Sequence, residues 1–67
     1  MGYKIKEIRE SKKMSQSELA EKSGVSRGII WALETDANAV TTTKTLLKIA
    51  NALDTTVDKI FFAVDGQ

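Results

Sequence analysis

The chain contains no cysteine, no histidine and no proline, and only four glycines in 67 residues. Without cysteine there is neither a disulfide nor a thiolate metal site to reinforce the fold. Without histidine the commonest metal ligand and general base are gone. No glycine-rich phosphate loop is present. Together these absences argue against an enzyme, and no metal or cofactor is expected. Long apolar runs are missing too: nothing approaches membrane length, and the charged N-terminus does not read as a signal peptide. The expectation is a cytoplasmic protein that meets no membrane. A chain of this length makes one small domain, spanning residues 1–67. Its core supplies only roughly 3–5 kcal/mol of net stability. Such a fold stands on packing, alone or with a partner subunit.

The formal net charge is +1, which does not by itself mark a nucleic-acid binder. The distribution is uneven. Residues 1–27 carry seven Lys/Arg and four Glu, a balance of +3; residues 28–67 carry three Lys and five Asp/Glu, a balance of −2. The positive half could face phosphate, or simply form solvated amphipathic helices.

Apolar residues recur at helical spacing and no alternating strand pattern appears, which predicts an all-α chain of five short helices. The first runs from about Tyr3 to Lys12, with Ile5 and Ile8 inward. The second opens at Ser15, where Ser15-Gln16-Ser17-Glu18 has the form of a capping box. Leu19 and Ala20 face inward, and Gly24 ends the helix because it tolerates a left-handed exit. The third begins at the cap Ser26 and ends near Glu34. Thr35 to Thr41 reads as a loop, with Asp36 and Asn38 as turn formers. The fourth follows the cap Thr42, with Leu46, Ile49, Ala50 and Leu53 as its inner stripe. The fifth runs from the cap Thr56 to about Phe62.

The link between the second and third helices is only a few residues long. So short a turn makes the helices cross steeply, at about 90–120°. The crossing needs a small residue at the contact, and Ala20 supplies it. Val25, Ile30 and Leu33 then fix the base of the third helix, leaving its other face outward and able to enter a major groove.

Leu19-Ala20, Gly24-Val25-Ser26, Ile30 and Leu33-Glu34 resemble the helix-turn-helix of the phage Cro and cI repressor family, also called the xenobiotic-response-element (XRE) family. The run Met14 to Lys22 resembles that family's opening, Thr45 to Leu53 its fourth helix, and Asp58-Lys59-Ile60-Phe61 its fifth. The resemblance covers about residues 3–62 and places the motif at about 16–35. It implies a five-helix lambda-repressor-like DNA-binding domain. Between the third and fourth helices the chain departs from the family: Asp36 and Thr41 stand where the family usually has glycine and proline.

The resemblance implies specific site residues. Gln16 would contact the DNA backbone and brace the recognition helix. Arg27, Gly28, Trp31 and Ala32 fall on base-reading positions, with the cap Ser26 beside them. Arg27 suits guanine O6 and N7, or alternatively a phosphate. Gly28 allows close backbone approach, or is merely a weak helix position. Trp31, with Ile29, has three readings: contact with thymine methyls or sugar edges, contact with a protein, or a lid over the helix base as peripheral core. Lys12, Lys13, Lys22 and Lys44 are candidate phosphate contacts. Arg9 and Glu34 match positions that form an internal ion pair between the first and third helices.

The expected partner is double-stranded DNA, bound by a homodimer on half-sites about 34–36 Å apart. Val57, Phe62 and Val64 could form the dimer patch or close the core. The function implied is a small bacterial or phage transcriptional regulator, a repressor or one that recruits polymerase by contact. A restriction–modification controller, an antitoxin-type autoregulator and a protein–protein module on the same fold are the alternatives.

Overall fold

A computed structural model describes residues 2–36 and 39–62, apart from the side chains of Phe61 and Phe62. Its elements are β1 (Gly2–Tyr3), α1 (Ile5–Ser11), α2 (Gln16–Ser23), α3 (Arg27–Thr35), α4 (Thr43–Ala52), α5 (Val57–Ile60) and β2 (Phe61–Phe62). The architecture is that of five helices. No helix among the described residues is long and apolar enough to cross a membrane.

The starts of α2, α3 and α4 are set by hydroxyl caps. Ser15, Ser26 and Thr42 each accept a hydrogen bond from the backbone N–H three residues on, at Glu18, Ile29 and Thr45. At Ser15 the box is reciprocal: the Ser15 N–H donates to the Glu18 carboxylate at 2.8 Å while the Glu18 N–H donates to Ser15 Oγ at 3.0 Å. Each cap satisfies helix-end donors that would otherwise lack partners. α2 ends at Gly24, whose φ of 74° is left-handed and whose N–H donates back to the Ala20 carbonyl at 2.9 Å. A side chain there would strain that turn.

Two ends of the helix assignment depart from the sequence reading. The first helix begins at Ile5 rather than Tyr3, and the fifth stops at Ile60 rather than Phe62. The reason is a tertiary one. β1 and β2 pair antiparallel, Gly2 opposite Phe62 and Tyr3 opposite Phe61, and the Lys4 N–H donates to the Ile60 carbonyl at 2.7 Å. Backbone groups that helix would have used are taken by this short ladder between the chain's two ends.

The core gathers Ile5 from α1, Leu19 from α2, Val25 from the turn, Ile30 and Leu33 from α3, Leu46, Ile49 and Ala50 from α4, Leu53 at its C-cap and Ile60 from α5. Every helix thus contributes, which a chain this small needs. Ala20 is half-buried against this core, so the tight α2–α3 approach rests on a small side chain as its position suggests. Tyr3 reaches from β1 to the α3–α4 loop, its hydroxyl donating to the Ala39 carbonyl at 3.1 Å. Asn38 lies outside the described residues.

Candidate nucleic-acid interface

The two faces of α3 differ in kind. Its inner face carries Ile30 and Leu33 into the core and Glu34 into a buried polar cluster. The Glu34 side chain is only 2% exposed. Arg9 of α1 grips it with two parallel bonds, Nε to Oε2 at 2.8 Å and Nη2 to Oε1 at 3.0 Å. Gln16 Nε2, on the first turn of α2, donates to the same Oε1 at 2.9 Å. The third nitrogen of Arg9, Nη1, donates to the Met14 carbonyl at 2.7 Å.

A bidentate guanidinium–carboxylate pair fixes both distance and plane. One cluster therefore ties the end of α3 to α1, to the α1–α2 turn and to the start of α2. The hydrogen bonds that Arg9 donates to Glu34 raise the guanidinium above its usual pKa, against the opposing effect of burial. Arg9 stays charged at every accessible pH.

Gln16 thereby has two roles open to it. Its amide nitrogen carries two hydrogens, and one is committed to Glu34. The other can donate to a phosphate at the N-terminus of α2, where unpaired amides and the helix dipole favour an anion.

The outer face of α3 presents Arg27, Gly28, Trp31 and Thr35, all exposed. Trp31 is 58% exposed and Ile29 45%. The reading of Trp31 as peripheral core is therefore corrected: Ile30 and Leu33 occupy the inward directions, and Trp31 points away from them. Ala32 is half-buried beside it. Gly28 has an ordinary helical φ, and a methyl placed on it would meet nothing within 4 Å. Neither backbone conformation nor internal packing requires glycine there. Arg27 reaches across the turn, Nη1 donating to Ser17 Oγ on α2 at 3.2 Å. The guanidinium is thus stationed between the starts of the two helices.

The remaining candidates lie elsewhere. Ser26 is exposed, but its hydroxyl is engaged as the α3 cap. Lys12, Lys13 and Lys22 are exposed around α1 and α2, and Lys44 is exposed on the first turn of α4. Val57 is half-buried and packs against its own core. The Phe62 side chain and the whole of Val64 lie outside the described residues. Ser17 and Thr35 were not singled out in the sequence. Ser17 matters through a partner ten residues away, and Thr35 through a bond back to the Trp31 carbonyl at 2.8 Å. Neither leaves a pattern in composition or periodicity.

A capped helix, a glycine turn and a second helix clamped at its base and exposed on its outer face form a helix-turn-helix. A family model described as helix-turn-helix matches residues 5–60. The chain belongs to the helix-turn-helix family of the Cro/cI (XRE) type. This is a family of DNA-binding transcription regulators, and the lambda-repressor-like arrangement of helices agrees with it. No curated protein and no solved structure matches the chain. Within the family's motif, α2 is the supporting helix and α3 the recognition helix.

Proposed function

We propose that the protein binds specific sequences in double-stranded DNA by laying the outer face of α3 in the major groove, and regulates transcription there, most simply as a repressor. The observation that carries this is the contrast on α3 itself. Buried charge-assisted bonds through Glu34 clamp the helix to two neighbours, while Arg27, Gly28 and Trp31 stand exposed on the opposite side. A reading helix must be both rigid and uncovered. A single such helix spans few base pairs, so the working form is a two-fold dimer on half-sites about 34–36 Å apart. Val57, Phe62 and Val64 are the residues proposed for its contact. The setting is the cytoplasm of a bacterial or phage-infected cell.

The test is a salt titration of binding to a duplex recovered from a random library and to random duplex. Affinity for both should fall steeply with salt as lysines and arginines displace condensed counterions. Arg27→Ala then separates two roles. If Arg27 reads a base edge, the variant relaxes preference at one pair of each half-site, a loss of about 1–3 kcal/mol of discrimination. If it clamps phosphate, selected and random duplexes weaken by similar factors and the salt slope falls by about one. Absence of salt-dependent binding to any duplex defeats the proposal, and the exposed Trp31 and Ile29 would then serve a protein partner.

A further inference from the structure

The outer face of α3 is short of groups that can read a base edge by hydrogen bonding. The hydroxyl of Ser26 already accepts from the Ile29 N–H, and that of Thr35 donates to the Trp31 carbonyl. Gly28 and Ala32 carry no polar side-chain atom. From Arg27 to Thr35 there is no asparagine, glutamine or lysine. Arg27, at one end of the helix, offers several donors, whereas the Ser26 hydroxyl and the Trp31 indole N–H offer one hydrogen each. The centre of the face is Trp31, with the two small residues beside it four positions apart on the same side.

Most edges of a major groove are polar, and burying them against the ring carbons of an indole, which offer no hydrogen bond, is unfavourable. The exception is the C5 methyl of thymine, the one apolar group the four bases present there. The small side chains at Gly28 and Ala32 let the helix approach closely enough for the indole to reach that depth. Resting on the DNA-binding reading above, we propose that Trp31 is a specificity-determining residue that selects thymine through its C5 methyl, so that the site is read partly by apolar contact. Double-stranded DNA is favoured over a protein as occupant because the Arg27 guanidinium, held by Ser17 at the N-terminal turn of α2, borders this apolar centre. A phosphate backbone complements that border.

The experiment compares the duplex recovered from a random library with copies in which each thymine in turn is replaced by deoxyuridine, which removes only the methyl. Burying one methyl is worth about a fourfold change in affinity. The native protein should lose about fourfold at one or two positions per half-site, and 5-methylcytosine at those positions should recover part of a cytosine penalty. Trp31→Ala should bind thymine and deoxyuridine duplexes equally while keeping its salt dependence. Because Trp31 is the chain's only tryptophan, its fluorescence gives a second readout in the unaltered protein. Emission should shift to the blue on the thymine duplex and shift less on the duplex lacking the critical methyl. Equal affinity of the native protein for all deoxyuridine copies, with salt-dependent binding intact, overturns the thymine assignment and leaves DNA binding standing. Loss of binding to every duplex overturns both.

Discussion

The inner and outer faces of α3 are built on opposite rules. On the inner face every polar atom of Glu34 and Arg9 faces a partner, and both side chains are withdrawn from water. On the outer face a tryptophan is left exposed and a glycine sits where alanine would fit the helix better. The inner arrangement narrows the helix to one position. On the outer face only Arg27, through Ser17, bonds to another helix among the described residues, and neither Trp31 nor Gly28 is needed by the core. On the proposed function, rigidity and reading fall to residues three or four positions apart on a single helix.

The sharpest way to break this contrast is to attack the clamp. Glu34→Ala leaves the Arg9 guanidinium buried without its carboxylate. Removing one partner of a buried pair typically costs about 3–5 kcal/mol. A core this small has a net stability of about the same size. The variant should be largely unfolded at 25 °C by circular dichroism. Replacing both partners with apolar residues, as in Arg9→Met with Glu34→Leu, should restore folding, because the desolvation penalty disappears with the charges. The milder changes Arg9→Lys and Glu34→Gln, taken singly and together in urea unfolding, should be non-additive. Strict additivity would show that the clamp does not act as a unit.

A smaller change sharpens the comparison from the outside. Gly28→Ala should stabilise the fold by up to about 1 kcal/mol, the helix-propensity difference, since its φ is ordinary and the added methyl has open space. The same methyl lies on the outward face, where it should hold DNA away and weaken binding. Stability and affinity should therefore move in opposite directions, measured by urea midpoint and by duplex titration. Unchanged affinity would place Gly28 outside the interface and leave it as an unoptimised helix position.

What the sequence discloses follows the range of the forces involved. The caps at Ser15, Ser26 and Thr42 are local, and their side chains reach only three residues, so short patterns reveal them. The α4 stripe is equally local. The β1–β2 ladder is not: its residues are about 60 apart and each strand is too short to show alternation, which is why Tyr3 and Phe61 read as helix. The site divides the same way. The exposure of Trp31 follows from the inward directions of Ile30 and Leu33. The bonds Gln16–Glu34 and Arg27–Ser17 depend on how α2 and α3 cross, and no spacing in the sequence encodes them.

The smallest predicted effect concerns the local cap that begins the supporting helix. The Ser15 N–H, and secondarily its hydroxyl, hold the Glu18 carboxyl below its usual range. In the unfolded chain the same carboxyl titrates near its ordinary value of about 4.3. Between the two values the unfolded state binds more protons than the folded one. The stabilisation is therefore complete above the unfolded value and is lost as pH falls through the folded one. Glu18→Gln separates this effect from the hydrogen bond itself, because a carboxamide oxygen still accepts from the Ser15 N–H but does not titrate. Thermal unfolding at pH 7, 4 and 3 should show the native protein losing more stability across the acid range than Glu18→Gln. The two should be most alike at the acid end, where protonated Glu18 and Gln are both neutral. Parallel curves would mean that the ionisation of Glu18 adds nothing to the cap, and that the shift in its carboxyl carries no stability.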